Sequence, residues 1–316
     1  MDEKPARPSP EPPLALPASD GKGRLFGIGL ILLALSCFAI LDTAAKWLTS
    51  HIPTLEGVWA RYAGHFTLSF LVINPWTTPG LLKTRRPWLQ IVRSALLFGA
   101  TFFNFVALRY LQLDQTASLM FTMPFFVALL AGPLLGEWIG LRRWIAILAG
   151  FAGVLLITRP GAGGIHPAAI LVLIGSACYA LYNMLTRVLA SHDSTPTTLF
   201  YTALVGFIAA SLPLPFVWTA PADPWVIGAM VTVGVFGWIG HWLLINAHRY
   251  APAATLAPFV YFQIVWMALA GFLVFGDVPN GWTIAGVAVV IASGLYLLNR
   301  ERKMHAEASL KAQAGE

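Results

Sequence analysis

The feature that most constrains this chain is a succession of ten long apolar stretches separated by short polar breaks. They run near Leu25 to Leu48, Thr54 to Ile73, Trp88 to Tyr110, Thr116 to Leu135, Trp144 to Thr158, Pro167 to Ala190, Pro196 to Val217, Pro224 to Ala247, Pro252 to Phe275 and Trp282 to Leu298. A helix needs roughly 20 mostly apolar residues to cross a bilayer, with about 17 as the lower limit. The ten stretches meet or approach that length, the fifth being the shortest. The reading is an all-α integral membrane protein of ten transmembrane helices. Only 11% of the 316 residues are charged, against about 25% in a soluble domain, and most of the charges fall in the first 24 residues, the last 17 and the breaks.

The net charge of +6 does not point to nucleic acid, because Lys and Arg form no cluster on a soluble motif. Cys37 and Cys178 each sit inside an apolar run, where neither a disulfide nor a metal cluster is expected. The Pro-rich segment Met1 to Arg24 has little to bury and reads as a disordered tail. The apolar run after it is too long for a signal peptide and lacks a small-residue cleavage site, so it stays as the first helix. The sequence contains no H-E-x-x-H, G-x-S-x-G or G-x-x-x-x-G-K-[ST] pattern, which argues against an intramembrane enzyme and against a cofactor. The loops are too short for an energy-converting domain, which leaves passive or ion-coupled transport, with an enzyme or a structural or receptor-like bundle as the alternatives.

Cytoplasmic connections carry the Lys and Arg excess. With the N-terminus inside, fifteen of the twenty basic residues fall on the cytoplasmic side, three (Lys46, Arg109 and Arg159) fall outside, and Arg61 and Arg93 lie within helices. Both termini are therefore expected to be cytoplasmic.

Sliding the chain against itself by about 141 residues reveals an internal repeat. Ser36, Cys37, Phe38 and Ala39 meet Ala177, Cys178, Tyr179 and Ala180; Asp42 meets Asn183, Lys46 meets Arg187, and Ser50 with His51 meets Ser191 with His192. At an offset of 140, Ala107, Arg109 and Tyr110 meet Ala247, Arg249 and Tyr250, and Gly136 with Glu137 meets Gly276 with Asp277. Five helices per half is an odd number, so the second half must insert upside down. Inverted repeats of this kind mark many secondary transporters and place the substrate site at the repeat interface near mid-membrane.

Lys46, Pro53, Arg61 followed by Tyr62, the helix ends Leu135-Gly136-Glu137 and Phe275-Gly276-Asp277, and the glycines Gly150, Gly153, Gly286 and Gly294 together resemble the drug/metabolite transporter superfamily, in its EamA-type ten-helix form. The resemblance covers nearly everything from Leu25 to Leu298. It implies a first repeat over 25–160 and an inverted second over 161–299, between a tail at 1–24 and a cytoplasmic tail at 300–316. Its frequent Trp-Gly-x-Asn pattern is absent from the first helix, which reads Cys37-Phe38-Ala39-Ile40 and then Asp42. Within the superfamily the chain is most similar to bacterial exporters of amino acids and related metabolites, the aromatic amino acid exporter type included. That implies a multi-pass protein of the cell (inner) membrane exporting a small metabolite by alternating access.

Asp42 and Lys46, four residues apart, share a helix face and can pair, with Arg61 on the second helix within reach of both. Ionisable side chains in spanning helices are costly unless paired or wet and suggest a pathway, although a structural ion cluster would look the same. Two cations against one anion leave a surplus that a substrate carboxylate could balance. Tyr179, Tyr182, Asn183, Thr186 and Arg187 form one stripe of the sixth helix, Trp238, His241, Trp242 and Asn246 one of the eighth, and Pro258, Tyr261, Phe262 and Trp266 one of the ninth. These stripes are expected to point inward, as ligand contacts or as core and interfacial packing. His241 is a candidate for coupling to protons, or a hydrogen-bonded packing residue. Pro124 and Pro258 each remove a backbone donor and free carbonyls that need partners or line a cavity, while Glu137 and Asp277 read as charges at helix junctions.

Overall fold

The computed structural model describes residues 21–314, except 124, 128, 131–140, 159–165, 190–191, 251–255, 257–258 and 260. Pro124, Gly136, Glu137 and Pro258 fall outside the described residues. Ten α-helical segments are present among those described: α1 Gly21–Thr49, α2 Thr54–Val72, α3 Pro87–Leu108, α4 Leu113–Met120, α5 Leu141–Thr158, α6 Ala168–Leu189, α7 Thr195–Ser211, α8 Pro224–Tyr250, α9 Phe262–Ala270 and α10 Gly281–Ala314. The segments Leu25–Thr49, Pro87–Leu108, Ala168–Thr186, Pro196–Phe216 and Pro224–Ala247 are long and apolar enough to cross a membrane, and Ile147–Ile157, Phe262–Phe275 and Gly281–Tyr296 form shorter apolar helices. With the composition, they define a multi-pass membrane protein.

Proline and capping residues set several boundaries. Pro87 opens α3, where its missing N–H costs nothing. Ser194 caps α7 by accepting from the Thr197 amide at 3.3 Å, and Pro196 follows in its first turn. Gln112 and Gln115 form a capping box at α4. Two expectations shift. Helix α1 begins at Gly21, inside the segment read as a disordered tail, and α10 continues through the segment read as a tail, to Ala314. At 34 residues α10 is roughly 50 Å long, so it outruns a hydrocarbon core of about 30 Å.

The helices pack in a pattern that is nearly unchanged when the halves are exchanged. α1 lies along α8 as α6 lies along α3; α2 touches α8 as α7 touches α3; α1 meets α9 as α6 meets α4; and α5 pairs with α10. Leu41, Leu48, Val58, Phe105, Val233 and Met267 share one buried core drawn from both halves. Gly64 and Gly234 let α2 and α8 cross closely, since a Cβ on Gly64 would lie 2.6 Å from the Gly234 Cα. Large apolar side chains such as Leu33, Ile145, Leu148 and Val231 face outward, as suits a surface solvated by lipid.

Loops are fastened by carboxylates in a related way. Glu56, fully buried at the start of α2, accepts hydrogen bonds from the Thr219 amide and, at 3.1 Å, from its hydroxyl, in the α7–α8 connection. Asp193, in the α6–α7 connection, accepts from the Thr84 hydroxyl, the Arg85 amide and the Gln90 side chain. In both cases a carboxylate at a half's first connection holds the second connection of the other half. Burial works against charge on Asp193, but the bonds from Thr84, Gln90 and Arg85 outweigh it and hold its carboxyl below the usual carboxylate range.

Candidate functional site

Where α1, α3, α6 and α8 converge, a cavity of about 350 Å³ opens beside Asp42, Arg61, Thr101, Asn104, Tyr179 and Asn183. Phe38, Phe105, Phe121, His241 and Gln263 complete much of its wall. A void of about 10 Å³, enough for a single water, adjoins it among Arg61, Tyr62, His65, Thr202 and His241. The cavity falls within the size range of organic ligand pockets, and its mostly apolar wall with a few convergent polar groups is the usual composition of one. Helix α4 breaks into a turn at Phe121–Thr122, and Phe121 lines the cavity at that break.

Asp42 does not pair with Lys46. It is 7% exposed and accepts a 3.3 Å hydrogen bond from Asn104 Nδ2. Lys46 projects to the segment that follows α9, where its Nζ lies 2.6 Å from Asp277 Oδ2 and 4.6 Å from the centre of the Phe275 ring. Gly276 explains the exchange of partners: its left-handed backbone, φ 71°, ends the helical run through Phe275 and turns Asp277 back so that its amide donates to Gly271 O. Asp277 is therefore an ion-pair partner tying α9 to α1, beyond the simple charge at a helix junction that the sequence suggested. Among the described residues Lys46–Asp277 is the one ion pair.

Arg61 reaches the cavity from α2. Its Nη1 donates to Thr101 Oγ1, which also lies 3.1 Å from Tyr62 Oη, and its Nε is buried with no protein partner. Tyr179 and Asn183 line the cavity, Asn183 donating back to the Tyr179 carbonyl at 2.7 Å. His241 lies between Phe38, at 5.2 Å between ring centres, and His65, at 5.6 Å. His65 was missed by the sequence reading, although it lies one turn beyond Arg61 on α2.

The other expected contacts are placed elsewhere. Tyr182 is stacked on Tyr179, and its hydroxyl oxygen accepts from Arg93 Nη2 at 2.9 Å. Trp242 is 52% exposed on the outer surface, and Trp238 is half-buried outside the cavity wall. An aromatic stripe at helical spacing thus served two environments on α8, with His241 turned to the cavity and Trp242 to the bilayer face. Tyr261 is buried against Phe121, 4.8 Å between ring centres, and does not line the cavity. Trp266 lines a separate apolar groove of about 510 Å³ between α1 and α9, while Gln263, which the sequence reading passed over, faces the cavity. The groups that sequence reasoning missed on α3, namely Arg93, Thr101 and Asn104, follow a readable signal: Gln90, Arg93, Ser94, Thr101 and Asn104 are all buried polar residues along one apolar helix.

Comparison with known proteins gives the class of this multi-pass helical bundle: it is a membrane transporter. The chain matches the EamA-like transporter family twice, over residues 25–159 and 166–300, and belongs to that family, within the drug/metabolite transporter superfamily. It is 26% identical over 281 residues to the S-adenosylmethionine uptake transporter of Rickettsia bellii, spanning 88% of this chain and 94% of that one. It is 29% identical to the riboflavin transporter of Vibrio cholerae, spanning 86% and 93%. A crystal structure 17% identical in sequence shares the fold with a TM-score of 0.60, covering 90% of this chain and 99% of its own. The protein is a transporter and not an enzyme.

Proposed function

We propose that the protein is a secondary transporter that moves an amino acid, or a metabolite with an amino-acid head, by alternating access through the central cavity. The observation that carries this reading is Arg61: a guanidinium at the cavity wall, with no carboxylate within ion-pair distance among the described residues. Arg binds carboxylates through two parallel N–H donors, a geometry Lys cannot copy. The proposal includes ten spans in two inverted halves, 25–160 and 161–299, with both termini cytoplasmic. The packing that survives exchange of the halves and the reciprocal Glu56 and Asp193 loop contacts support the repeat. The distribution of Lys and Arg supports the orientation.

The relatives named for S-adenosylmethionine and riboflavin widen the substrate class from amino acids alone to metabolites carrying a planar heteroaromatic ring, for which Phe38, Phe121 and Tyr179 provide surface. Export is the direction carried over from the family resemblance, and a relative named for uptake makes import its competitor. Protons are the proposed coupling ion, with His241 and His65 beside the substrate cavity as the groups to carry them.

Counterflow in proteoliposomes containing only this protein tests the reading. Labelled L-tryptophan, S-adenosylmethionine and riboflavin are offered to vesicles preloaded with each unlabelled compound. Accumulation above protein-free vesicles that is lost in Arg61→Lys is the expected result. Vesicles that accumulate none of the three, with folded protein, would sink the proposal.

A further inference from the structure

On α1, Ser36, Ile40, Thr43 and Trp47 follow one another at i, i+4, i+7 and i+11, a stripe on the side opposite Phe38, Leu41 and Asp42, which line the cavity. With Ala229 of α8, Trp266 and Leu269 of α9, and Leu273 and Val274 of the π-helical turn Gly271–Phe275, the stripe encloses the apolar groove of about 510 Å³. Among the described residues that line it none is charged, and its hydroxyls are spent within their own helix: Ser36 Oγ donates to Leu32 O at 3.0 Å and Thr43 Oγ1 to Ala39 O at 2.6 Å. The Trp266 N–H is enclosed and does not open on the groove. A bound water needs several polar partners, so this groove is a place for hydrocarbon.

From Ser36 to Trp47 the groove runs about 16 Å along the helix axis, close to half of the roughly 30 Å hydrocarbon core and so the depth of one leaflet. One end lies near the middle of α1, and the other lies at Trp47, next to the Lys46–Asp277 pair, where an indole and an ion pair suit the membrane–water interface. Spread over that length the volume leaves a section of about 30 Å², less than half that of a helix about 10 Å across, which makes it a slot and not a seat for another helix. Ile40, Leu269, Leu273 and Val274 are exposed along it, so it is continuous with the outward face that carries Leu33. We infer that this slot seats one acyl chain of a bilayer phospholipid, laid along α1 with its methyl end at Ser36 and Trp266 and its glycerol end at Trp47 and Val274, in the outer leaflet of the orientation proposed above. The chain is in hydrocarbon before it enters, so what holds it is dispersion contact, and the small residues Ala39, Ala44, Ala229 and Ala270 give the depth that lets it in. Because α1 and α9 belong to different halves, the chain sits on the seam between them, behind the cavity wall.

The test is photocrosslinking of the full-length protein in phosphatidylcholine vesicles doped with phosphatidylcholines that carry a diazirine on one acyl chain, either close to the glycerol or at the chain end. Adducts are mapped by mass spectrometry. Adducts on the groove residues are expected to exceed those on the outward-facing Ile145 and Leu148 by about tenfold, the scale of about ten added carbon–carbon contacts. The chain-end probe should mark Ser36 and Trp266, and the glycerol-side probe Trp47 and Val274. Filling the slot with Ala44→Leu and Ala270→Leu should bring the groove yield down to that at Ile145 and Leu148, and the wild-type comparison stands even if this variant fails to fold. Equal yields at the groove and at Ile145 and Leu148 in the wild-type protein would reduce the lipid there to bulk solvent and overturn the inference. So would a reversed order of the two probes, or a groove without adducts in a protein that native mass spectrometry finds as a dimer.

Discussion

Two arginines, each in a helix of the first half, occupy opposite situations. Arg93 on α3 is 2% exposed, and every nitrogen of its fork has a partner: Nε donates to Thr186 Oγ1 at 2.6 Å, Nη1 to Thr202 Oγ1 at 2.7 Å and to Thr198 O, and Nη2 to Tyr182 Oη at 2.9 Å. Its guanidinium carbon also lies 4.4 Å from the centre of the Tyr182 ring. Arg61 on α2 has Thr101 on Nη1, no protein partner on Nε, and a cavity in front of it. Neither sits within ion-pair distance of a carboxylate among the described residues. The difference is one of saturation. A fork whose donors are spent on α6 and α7 holds helices together, and a fork with a donor to spare can receive a ligand.

Breaking the saturated fork should have the largest effect. Arg93→Met removes a buried hydrogen-bond network, taking the donor from Tyr182 Oη and leaving Thr186 and Thr202 only their bonds to Tyr182 O and Thr198 O, at a cost of about 2–4 kcal/mol. Thermal unfolding in detergent should show this, with substrate selectivity intact in whatever protein remains folded. Arg61→Lys should do the reverse. It keeps the charge and loses the parallel N–H pair, so transport should fall about tenfold or more while stability changes by less than about 1 kcal/mol. If Arg93→Met proved as stable as wild type and altered substrate preference, the assignment of the two arginines would have to be exchanged.

The apolar stretches were legible because helix length against bilayer thickness is a local property of the sequence. Asp42, Arg61, Tyr179, Asn183 and His241 were legible as site candidates for a related reason: a polar side chain in a spanning helix must face something other than lipid. What each one faces is a property of the fold. Lys46 and Asp42 share a helix face, yet Lys46 found Asp277, 231 residues away, because the Gly276 turn presents that carboxylate from α9. Arg93 was only counted as lying within a helix, since its hydroxyl partners are on two helices of the other half and resemble ordinary helix residues in the sequence. Trp242 and Trp266 show the limit of periodicity: helical spacing identifies a stripe but not which of two neighbouring surfaces, cavity or lipid-side groove, the stripe meets.

The Lys46–Asp277 pair sharpens the comparison at an intermediate magnitude. Both side chains are partly buried, at 16% and 22% exposure, and the contact is short. A double-mutant cycle of Lys46→Met and Asp277→Asn should give a coupling of about 1 kcal/mol by thermal unfolding. Neither variant should change substrate counterflow, because Lys46 does not line the cavity. A loss of counterflow in Lys46→Met, matching the loss in Arg61→Lys, would mean that the cavity draws its positive potential from both cations, as the sequence alone suggested.

The smallest effect is expected at the edge of the saturated network. Gln90 Nε2 donates to Asp193 Oδ2 at 2.9 Å and to Thr198 Oγ1 at 3.2 Å, while the Thr198 carbonyl accepts from Arg93, so the Asp193 loop and the Arg93 fork are joined through two shared residues. Asp193 titrates below the usual carboxylate range in the folded protein. A carboxyl of this kind contributes stability that is present above its unfolded value, about 3.9, and is lost as pH falls through the lower folded value. Wild-type protein should therefore be more stable than Asp193→Asn at pH 6, by less than about 1 kcal/mol because the group is partly solvated. The gap should begin to narrow near pH 4 and continue to close below it. Unfolding temperatures of the two proteins, measured in detergent from pH 7 down to pH 3, provide the check. Parallel curves would show that Asp193 contributes no pH-dependent stability. A gap that instead widened as pH fell would mean that the loop contact is stronger with a neutral side chain, and the network around Arg93 would then owe its cohesion to the hydroxyl and amide partners alone.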